Sequence, residues 1–65
     1  MNYRLKELRK LRGVTQKDMA KVINVSKRQY EYYEAGTIDI PTAKTIILAD
    51  YFDVSIDYLV GRKEI

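Results

Sequence analysis

The stretch TQKDMAKVINVSKRQYEYYEAG, residues 15–36, decides the fold of this protein. It contains two helix starts, a T-x-x-D box at Thr15–Asp18 and an S-x-x-Q capping box at Ser26–Gln29. Only two residues separate the predicted helices, and the first of them, Asn24, tolerates the left-handed backbone conformation that so tight a turn requires. Ala20 is small enough to let the two helices approach closely. The stretch therefore predicts a helix-turn-helix.

Three tyrosines follow one another closely in the second of these helices. Tyr30 and Tyr33 are three residues apart and share a face, which we expect to pack on the core with both hydroxyls at its rim. Tyr32 lies about 200° around the helix from Tyr30. It shares its face with Arg28, one turn earlier, so we expect these two side chains to point outward together.

Helical spacing extends over the rest of the chain and predicts an all-α fold, a compact bundle of five short helices. The first helix is expected over residues 3–12, with Asn2 as its cap and Gly13 at its end. The fourth begins near Pro41 and ends near Phe52, and the fifth covers residues 55–60. The residues expected to face inward are Leu5, Leu8, Met19, Ala20, Ile23, Ile46, Leu48, Ala49 and Phe52.

Length and composition narrow the class of protein. The 65 residues predict one domain over 1–65, and with neither cysteine nor histidine the chain lacks the usual zinc ligands and the common catalytic triads. The three glycines form no phosphate-binding G-x-x-x-x-G-K motif. We therefore expect no enzyme activity, metal, cofactor or small-molecule ligand. No signal peptide or membrane-length apolar run is present, which predicts a cytoplasmic protein with no membrane partner.

Charge is distributed unevenly along the chain. Residues 1–28 hold nine basic and two acidic residues, a net charge of +7, whereas residues 29–65 hold three basic and seven acidic residues, a net charge of −4. A domain with one basic half suits a polyanion on that side. The same lysines would also suit ordinary solvated helix surfaces, and charge alone does not separate the two interpretations.

The joint order of three segments is specific. RLKELRKLRGVTQKDMAKVINVS is followed by YYEAG and then by IPTAKTIILADYFDVSIDYLVG, and together they resemble the Cro and phage-repressor helix-turn-helix family, also called the xenobiotic-response-element family. The resemblance covers nearly the whole chain. It implies a lambda-repressor-like DNA-binding domain whose third helix, about residues 26–35, enters the major groove of double-stranded DNA while the second crosses the backbone.

The resemblance also implies site residues. The base-reading positions are Lys27, Arg28, Gln29 and Tyr32, with Ser26 and Glu31 at the margin, and the phosphate contacts are Thr15, Gln16, Lys17 and Ser26. Arg9 and Glu34 occupy positions that form a structural ion pair. Ala35, Thr37 and Ile38 stand where family members often carry asparagine and a basic residue, which weakens the expected phosphate contacts there. The opposing interpretation is that residues 26–29 are an ordinary capped and solvated helix start. In that case the Gln29 side chain hydrogen-bonds to the backbone of its own helix rather than to DNA.

These features predict sequence-specific DNA binding by a bacterial or phage transcriptional regulator, a repressor that occludes a promoter. Two alternatives stay open: a protein-interaction module such as an antitoxin, favoured by an apolar patch near Ile38, Ile40 and Ile47, or the DNA-anchoring fragment of a larger protein. We also expect a homodimer on DNA. Its candidate seam is Ile47, Ile56, Tyr58, Leu59 and Val60, although scattered surface apolar residues are common.

Overall fold

Five α-helices form the part of the chain that the computed structural model describes, residues 3–61. They are α1 (Leu5–Arg12), α2 (Gln16–Val22), α3 (Lys27–Ala35), α4 (Thr42–Phe52) and α5 (Ile56–Leu59). This architecture confirms the predicted all-α fold with a helix-turn-helix at α2 and α3. Among these helices, none is long and apolar enough to cross a membrane.

Side-chain caps begin three of the five helices. At α2 both halves of the box form: the Asp18 backbone N–H donates to Thr15 Oγ1 at 3.1 Å, and the Thr15 N–H donates to Asp18 Oδ2 at 3.0 Å. At α3 the Gln29 N–H donates to Ser26 Oγ at 3.0 Å, so only the Ser26 half is present. Ser55 caps α5 in the same way. These polar caps explain why the helices begin where the sequence predicts.

The first helix starts later than expected. Arg4, whose side chain makes no cap hydrogen bond, occupies the N-cap position of α1, so the helix begins at Leu5, two residues after the predicted start at residue 3. Asn2, the predicted cap, lies outside the described residues. The Arg4 N–H instead donates to the Leu59 carbonyl at 2.9 Å, and the Ile40 N–H donates to the Tyr3 hydroxyl at 3.0 Å. Tertiary hydrogen bonds to α5 and to the loop before α4 thus hold this end of the chain.

The turn between α2 and α3 has the predicted geometry. Asn24 has φ 58°, in the left-handed region, and the Val25 N–H donates back to the Ala20 carbonyl at 2.9 Å. Ala20 itself is buried, which allows the close approach of α2 and α3. Asp53, at φ 56°, ends α4 with a second left-handed residue that the sequence analysis did not anticipate. A short polar side chain makes this conformation accessible to aspartate as well.

All five helices contribute to one core. Its largest fully buried side chains are Tyr30, Phe52, Leu5, Met19, Ile23, Leu48 and Leu59. Tyr33 is also buried, as predicted. The prediction that the Tyr30 hydroxyl reaches the rim of the core was wrong. The hydroxyl is buried and has no hydrogen-bond partner among the described residues. The whole side chain is fully buried within the core cluster, to which all five helices contribute.

Three apolar residues occupy other environments than predicted. Ile46, expected on the inner face of α4, is 44% exposed, whereas Thr45 takes the inward position and donates its hydroxyl to the Pro41 carbonyl at 3.2 Å. Ile40, expected in an exposed patch, is buried. Leu59, expected in a dimer seam, is fully buried and belongs to the core. In each case the packing of α4 and α5 on the rest of the bundle, rather than residue type, sets the exposure.

Candidate nucleic-acid interface

The exposed start of α3 presents the positive charges that the sequence singled out. Lys27 and Arg28 are exposed, and Gln29 and Tyr32 are half-buried. Arg28 Nε donates to the Tyr32 hydroxyl at 3.0 Å, and the Arg28 guanidinium carbon lies 5.9 Å from the centroid of the Tyr32 ring. The two side chains therefore share the outward face, as the helical spacing predicted.

The neighbouring lysine is also paired one turn along the helix. Lys27 Nζ lies 3.2 Å from Glu31 Oε2, and both side chains are about half exposed. Exposed pairs of this kind contribute little to stability and exchange readily with solvent or another anion. The Gln29 side chain makes no hydrogen bond with any residue of the described range. The structure therefore does not show the Gln29 side chain hydrogen-bonded to the backbone of its own helix. The Gln29 amide can form hydrogen bonds with another partner.

The start of α2 places three expected phosphate ligands side by side. Thr15 uses its hydroxyl oxygen as the helix cap, and its side chain also hydrogen-bonds to the Asp18 carboxylate. Gln16 is half-buried, and its Nε2 approaches Glu34 Oε1 at 3.5 Å. Lys17 is exposed. Hydrogen bonds from Thr15 to its carboxylate hold the pKa of Asp18 below the ordinary value of 3.8. Asp18 is therefore a capping residue, and it adds a negative charge to the surface at the start of α2.

A buried ion pair joins α1 to α3. Arg9 Nε and Nη2 donate to the two carboxylate oxygens of Glu34, each at 3.1 Å. The side chains are 15% and 5% exposed, and the hydrogen bond to Glu34 raises the pKa of Arg9. Arg9 Nη1 also donates to the Val14 carbonyl at 3.1 Å, just before α2. The pair implied by the resemblance is present, and it ties α1, the start of α2 and the end of α3 together.

Other basic side chains serve helix ends instead. Arg12 Nη2 donates to the Phe52 carbonyl at 2.9 Å, and Lys44 Nζ donates to the Ile23 carbonyl at 2.8 Å. Both carbonyls lie at the C-terminal ends of helices, where cations are favoured by the helix dipole. These contacts connect residues far apart in the sequence, so no local pattern predicted them. They also leave fewer cations for an external anion than the composition suggests.

The helix-turn-helix family profile matches residues 5–59, which include all five helices. The chain belongs to the Cro- and phage-repressor-type helix-turn-helix family. This family is non-enzymatic, in agreement with the expectation that the chain is not an enzyme.

Several relatives of this helix-turn-helix domain are transcriptional regulators. The chain is 41% identical to the uncharacterized HTH-type transcriptional regulator YobD of Bacillus subtilis, over 89% of the chain and 52% of YobD. It is 40% identical to the cryptic phage CTXphi transcriptional repressor RstR of Vibrio cholerae, over 91% of the chain and 53% of RstR. The chain thus spans about half the length of these curated relatives.

A solved structure agrees in fold. The crystal structure of a transcriptional regulator from Listeria innocua superposes on this helix-turn-helix domain with a TM-score of 0.87 and 33% sequence identity. The match covers the whole chain and 64% of the Listeria protein.

The residues around the C-terminal end of α3 are those at which the resemblance led us to expect weakened phosphate contacts. Ala35, Thr37 and Ile38 are exposed there, and none of them carries a charge. The Thr37 N–H is engaged with the Tyr32 carbonyl at 3.0 Å. These three side chains therefore offer no positive charge for a contact with a phosphate.

The candidate dimer seam is narrower than predicted. Ile47 and Ile56 are 43% and 41% exposed. Tyr58 and Val60 are partly buried, and the Arg4 guanidinium covers the Tyr58 ring at 4.5 Å. Leu59 lies in the core, and Ile56 and Val60 line one groove. Ile47 and Ile56 are the exposed residues of the candidate seam.

Proposed function

We propose that this domain binds double-stranded DNA in a sequence-specific manner and regulates transcription, acting as a repressor that occludes a promoter. The observation that carries the proposal is the exposed Lys27 and Arg28 at the start of α3, on a helix held in place by the buried Arg9–Glu34 pair. A rigid scaffold with a charged, exposed helix start is what insertion into the major groove requires. The similarity to RstR, a phage transcriptional repressor, supports this role.

In the proposed complex, α3 lies in the major groove and reads base edges. The Arg28 guanidinium donates two hydrogen bonds to O6 and N7 of a guanine, the pairing that its geometry favours. Gln29 is placed to read an adenine through its unengaged amide. Lys27 exchanges Glu31 for an acceptor on the DNA.

The start of α2 and the start of α3 contact phosphates. Gln16 donates its amide, Lys17 its ammonium group and Ser26 its hydroxyl proton, and the Thr15 hydroxyl exchanges the Asp18 carboxylate for a phosphate oxygen. The unpaired N–H groups of both helix starts add a favourable local dipole. Contacts of this kind position the domain without reading sequence. We place the protein in the cytoplasm, where bacterial DNA is accessible.

A homodimer on DNA completes the proposal. Ile47 and Ile56 supply exposed apolar surface on α4 and α5. A two-fold dimer would place its two α3 helices about 34 Å apart, one turn of DNA.

The test is to select bound DNA from a random library and then measure affinity for the selected site, its single-base variants and a scrambled site, at two salt concentrations. Arg28→Ala is expected to cost about 1–3 kcal/mol on the selected site and to relax preference at one base pair. Gln16→Ala is the matched control, since it should weaken binding to all sequences alike. Lys17→Ala and Lys27→Ala should each lower the salt slope by about one.

Other outcomes would favour the alternatives. Equal affinity for selected and scrambled DNA would contradict sequence-specific reading and indicate a DNA-anchoring fragment. Absence of measurable DNA binding at either salt concentration would favour a protein-interaction module, for which the exposed Ile38, Ile46 and Ile47 provide apolar surface.

A further inference from the structure

Arg28 and Tyr32 form a contact that restricts how the arginine can be used. Arg28 is exposed, yet its inner nitrogen Nε is bound to the Tyr32 hydroxyl at 3.0 Å. Nη1 and Nη2, at the tip of the guanidinium, make no hydrogen bond with other described residues. The two residues lie one helical turn apart on a helix that is itself held by the Arg9–Glu34 pair.

The contact with Tyr32 limits which guanidinium nitrogens of Arg28 can donate to a base. An arginine can grip a guanine either with Nε and one terminal nitrogen or with the two terminal nitrogens. Because Tyr32 occupies Nε, only the end-on approach remains, and it presents two parallel N–H donors to O6 and N7. A free arginine would lose much side-chain entropy on binding, whereas a side chain already held in place loses less.

Lys27, on the same helix, differs from Arg28 in the charge of its partner. Lys27 is also paired with the residue four positions later, but Glu31 is anionic and offsets the positive charge. The tyrosine hydroxyl holds Arg28 without neutralising it. Tyr32 therefore combines orientation with a retained charge, and the Glu31 pair does not.

We propose that Tyr32 is a positioning residue for Arg28 rather than an independent base reader, and that it sets base preference by holding the guanidinium for an end-on contact with one guanine. This inference rests on the proposed function, because it requires Arg28 to read a base. The Tyr32 hydroxyl acts only through the arginine.

The contact can be tested first without DNA. In nitrogen-15 NMR spectra of the free protein, the Arg28 Nε–H should exchange with water more slowly in the wild type than in Tyr32→Phe, which removes one oxygen and keeps the ring. Tyr51→Phe is the matched control, since Tyr51 is an exposed tyrosine on α4. Equal exchange in wild type and Tyr32→Phe would overturn the proposal.

The DNA experiment then compares Arg28→Ala, Tyr32→Phe, the double variant and the Tyr51→Phe control across the single-base panel. Tyr32→Phe should reduce guanine preference about fivefold to tenfold at the same base pair that Arg28→Ala identifies, with unchanged affinity for scrambled DNA. The double variant should match Arg28→Ala alone, because the hydroxyl has nothing left to hold.

Three results would count against the proposal in distinguishable ways. A change of preference at a different base pair, additive with Arg28→Ala, would make Tyr32 an independent reader. A uniform loss across the panel would make it a phosphate contact. If Arg28→Ala itself keeps the wild-type preference at every base pair, the proposed base reading fails and this inference fails with it.

Discussion

Tyr30 is the largest fully buried side chain of the described residues, and its hydroxyl has no hydrogen-bond partner among them. Burial is the main reason that the pKa of this phenol lies far above its ordinary value of 10.0, and the Glu34 carboxylate raises it further. The ring contributes apolar contacts, whereas the buried oxygen has lost its hydration without a full replacement. The apolar ring of Tyr30 therefore stabilises the fold, and its buried hydroxyl destabilises it.

Replacing Tyr30 separates these two contributions. Tyr30→Phe should keep or raise the free energy of unfolding, by up to about 1 kcal/mol, because it removes the unsatisfied hydroxyl. Tyr30→Ala should cost about 3–5 kcal/mol by leaving a cavity. The control Tyr32→Ala, on the outward face, should cost less than about 0.5 kcal/mol. Urea unfolding measures all three, and a clear loss for Tyr30→Phe would mean that the hydroxyl donates to Glu34 in solution.

Asp18 makes stability depend on pH. Its pKa is lowered in the folded protein by hydrogen bonds from Thr15, so the folded state favours the carboxylate form. The resulting stabilisation is present above the ordinary value of 3.8 and is lost as pH falls through the lower folded value. Asp18→Asn should therefore melt below wild type at pH 7, with a difference that shrinks between pH 4 and pH 2.

The control for this prediction is Asp50→Asn, an exposed aspartate on α4 whose side chain caps no helix. Thermal melts across the same pH range should show the converging pattern for Asp18→Asn alone. A constant difference at all pH values would mean that the Asp18 cap does not depend on its charge.

At the level of elements, the Arg9 side chain determines how the helix-turn-helix sits on α1. It reaches Glu34 at the end of α3 and Val14 just before α2 with separate nitrogens. Gln16 approaches the same carboxylate. The orientation of α3, the proposed reading helix, thus depends on a polar cluster at the end of the helix opposite to Arg28.

Breaking this cluster from one side should be costly. Glu34→Leu leaves the Arg9 charge without its carboxylate partner and should lower the free energy of unfolding by about 3–5 kcal/mol, and Arg9→Met should have a similar effect. The double variant should recover much of the loss, because neither charge then remains buried. Chemical denaturation of all four proteins gives the coupling energy, and simple additivity would contradict a shared ion pair.

Helix α4 shows where local patterns mislead. Its inner face is Thr45, Leu48, Ala49 and Phe52, with the spacing of one helical face. Residue type alone places Ile46 inside and Thr45 outside, yet the threonine hydroxyl satisfies itself on the Pro41 carbonyl and so is buried at little cost. The position of the neighbouring helices decides which of two adjacent residues faces the core.

At the scale of the whole molecule, the basic half of the sequence does not translate directly into a DNA-binding charge. Arg9 is committed to Glu34, and Arg12 is committed to the Phe52 carbonyl. Lys17, Lys27 and Arg28 are the expected site cations that stay exposed. We therefore attribute the polyanion-facing surface to the starts of α2 and α3 rather than to residues 1–28 as a whole.

The proposed dimer can be tested on the two exposed isoleucines of its seam. Ile56→Glu and Ile47→Glu should keep the melting temperature within a few degrees and weaken binding to a palindromic site, since exposed substitutions rarely unfold a domain. Ile38→Glu, in the loop before α4, is the matched control. Sedimentation with and without DNA measures stoichiometry. A selected motif with no dyad symmetry, or equal effects of all three variants, would argue against the seam.

The sequence by itself determined the five helices, the turn at Asn24, the caps at Thr15 and Ser26 and the outward pairing of Arg28 with Tyr32. All of these depend on residues within about one helical turn of each other, so backbone geometry and spacing suffice. The Arg9–Glu34 pair lies beyond that range, and family resemblance rather than spacing implied it.

Only the tertiary structure decided the depth of the Tyr30 hydroxyl, the burial of Ile40 and Leu59, the exposure of Ile46 and the commitment of Arg12 and Lys44 to distant carbonyls. Each of these depends on which helix packs over a residue. Exposure and hydrogen-bond partners are set by groups that are remote in the chain, and residue type alone does not identify those groups.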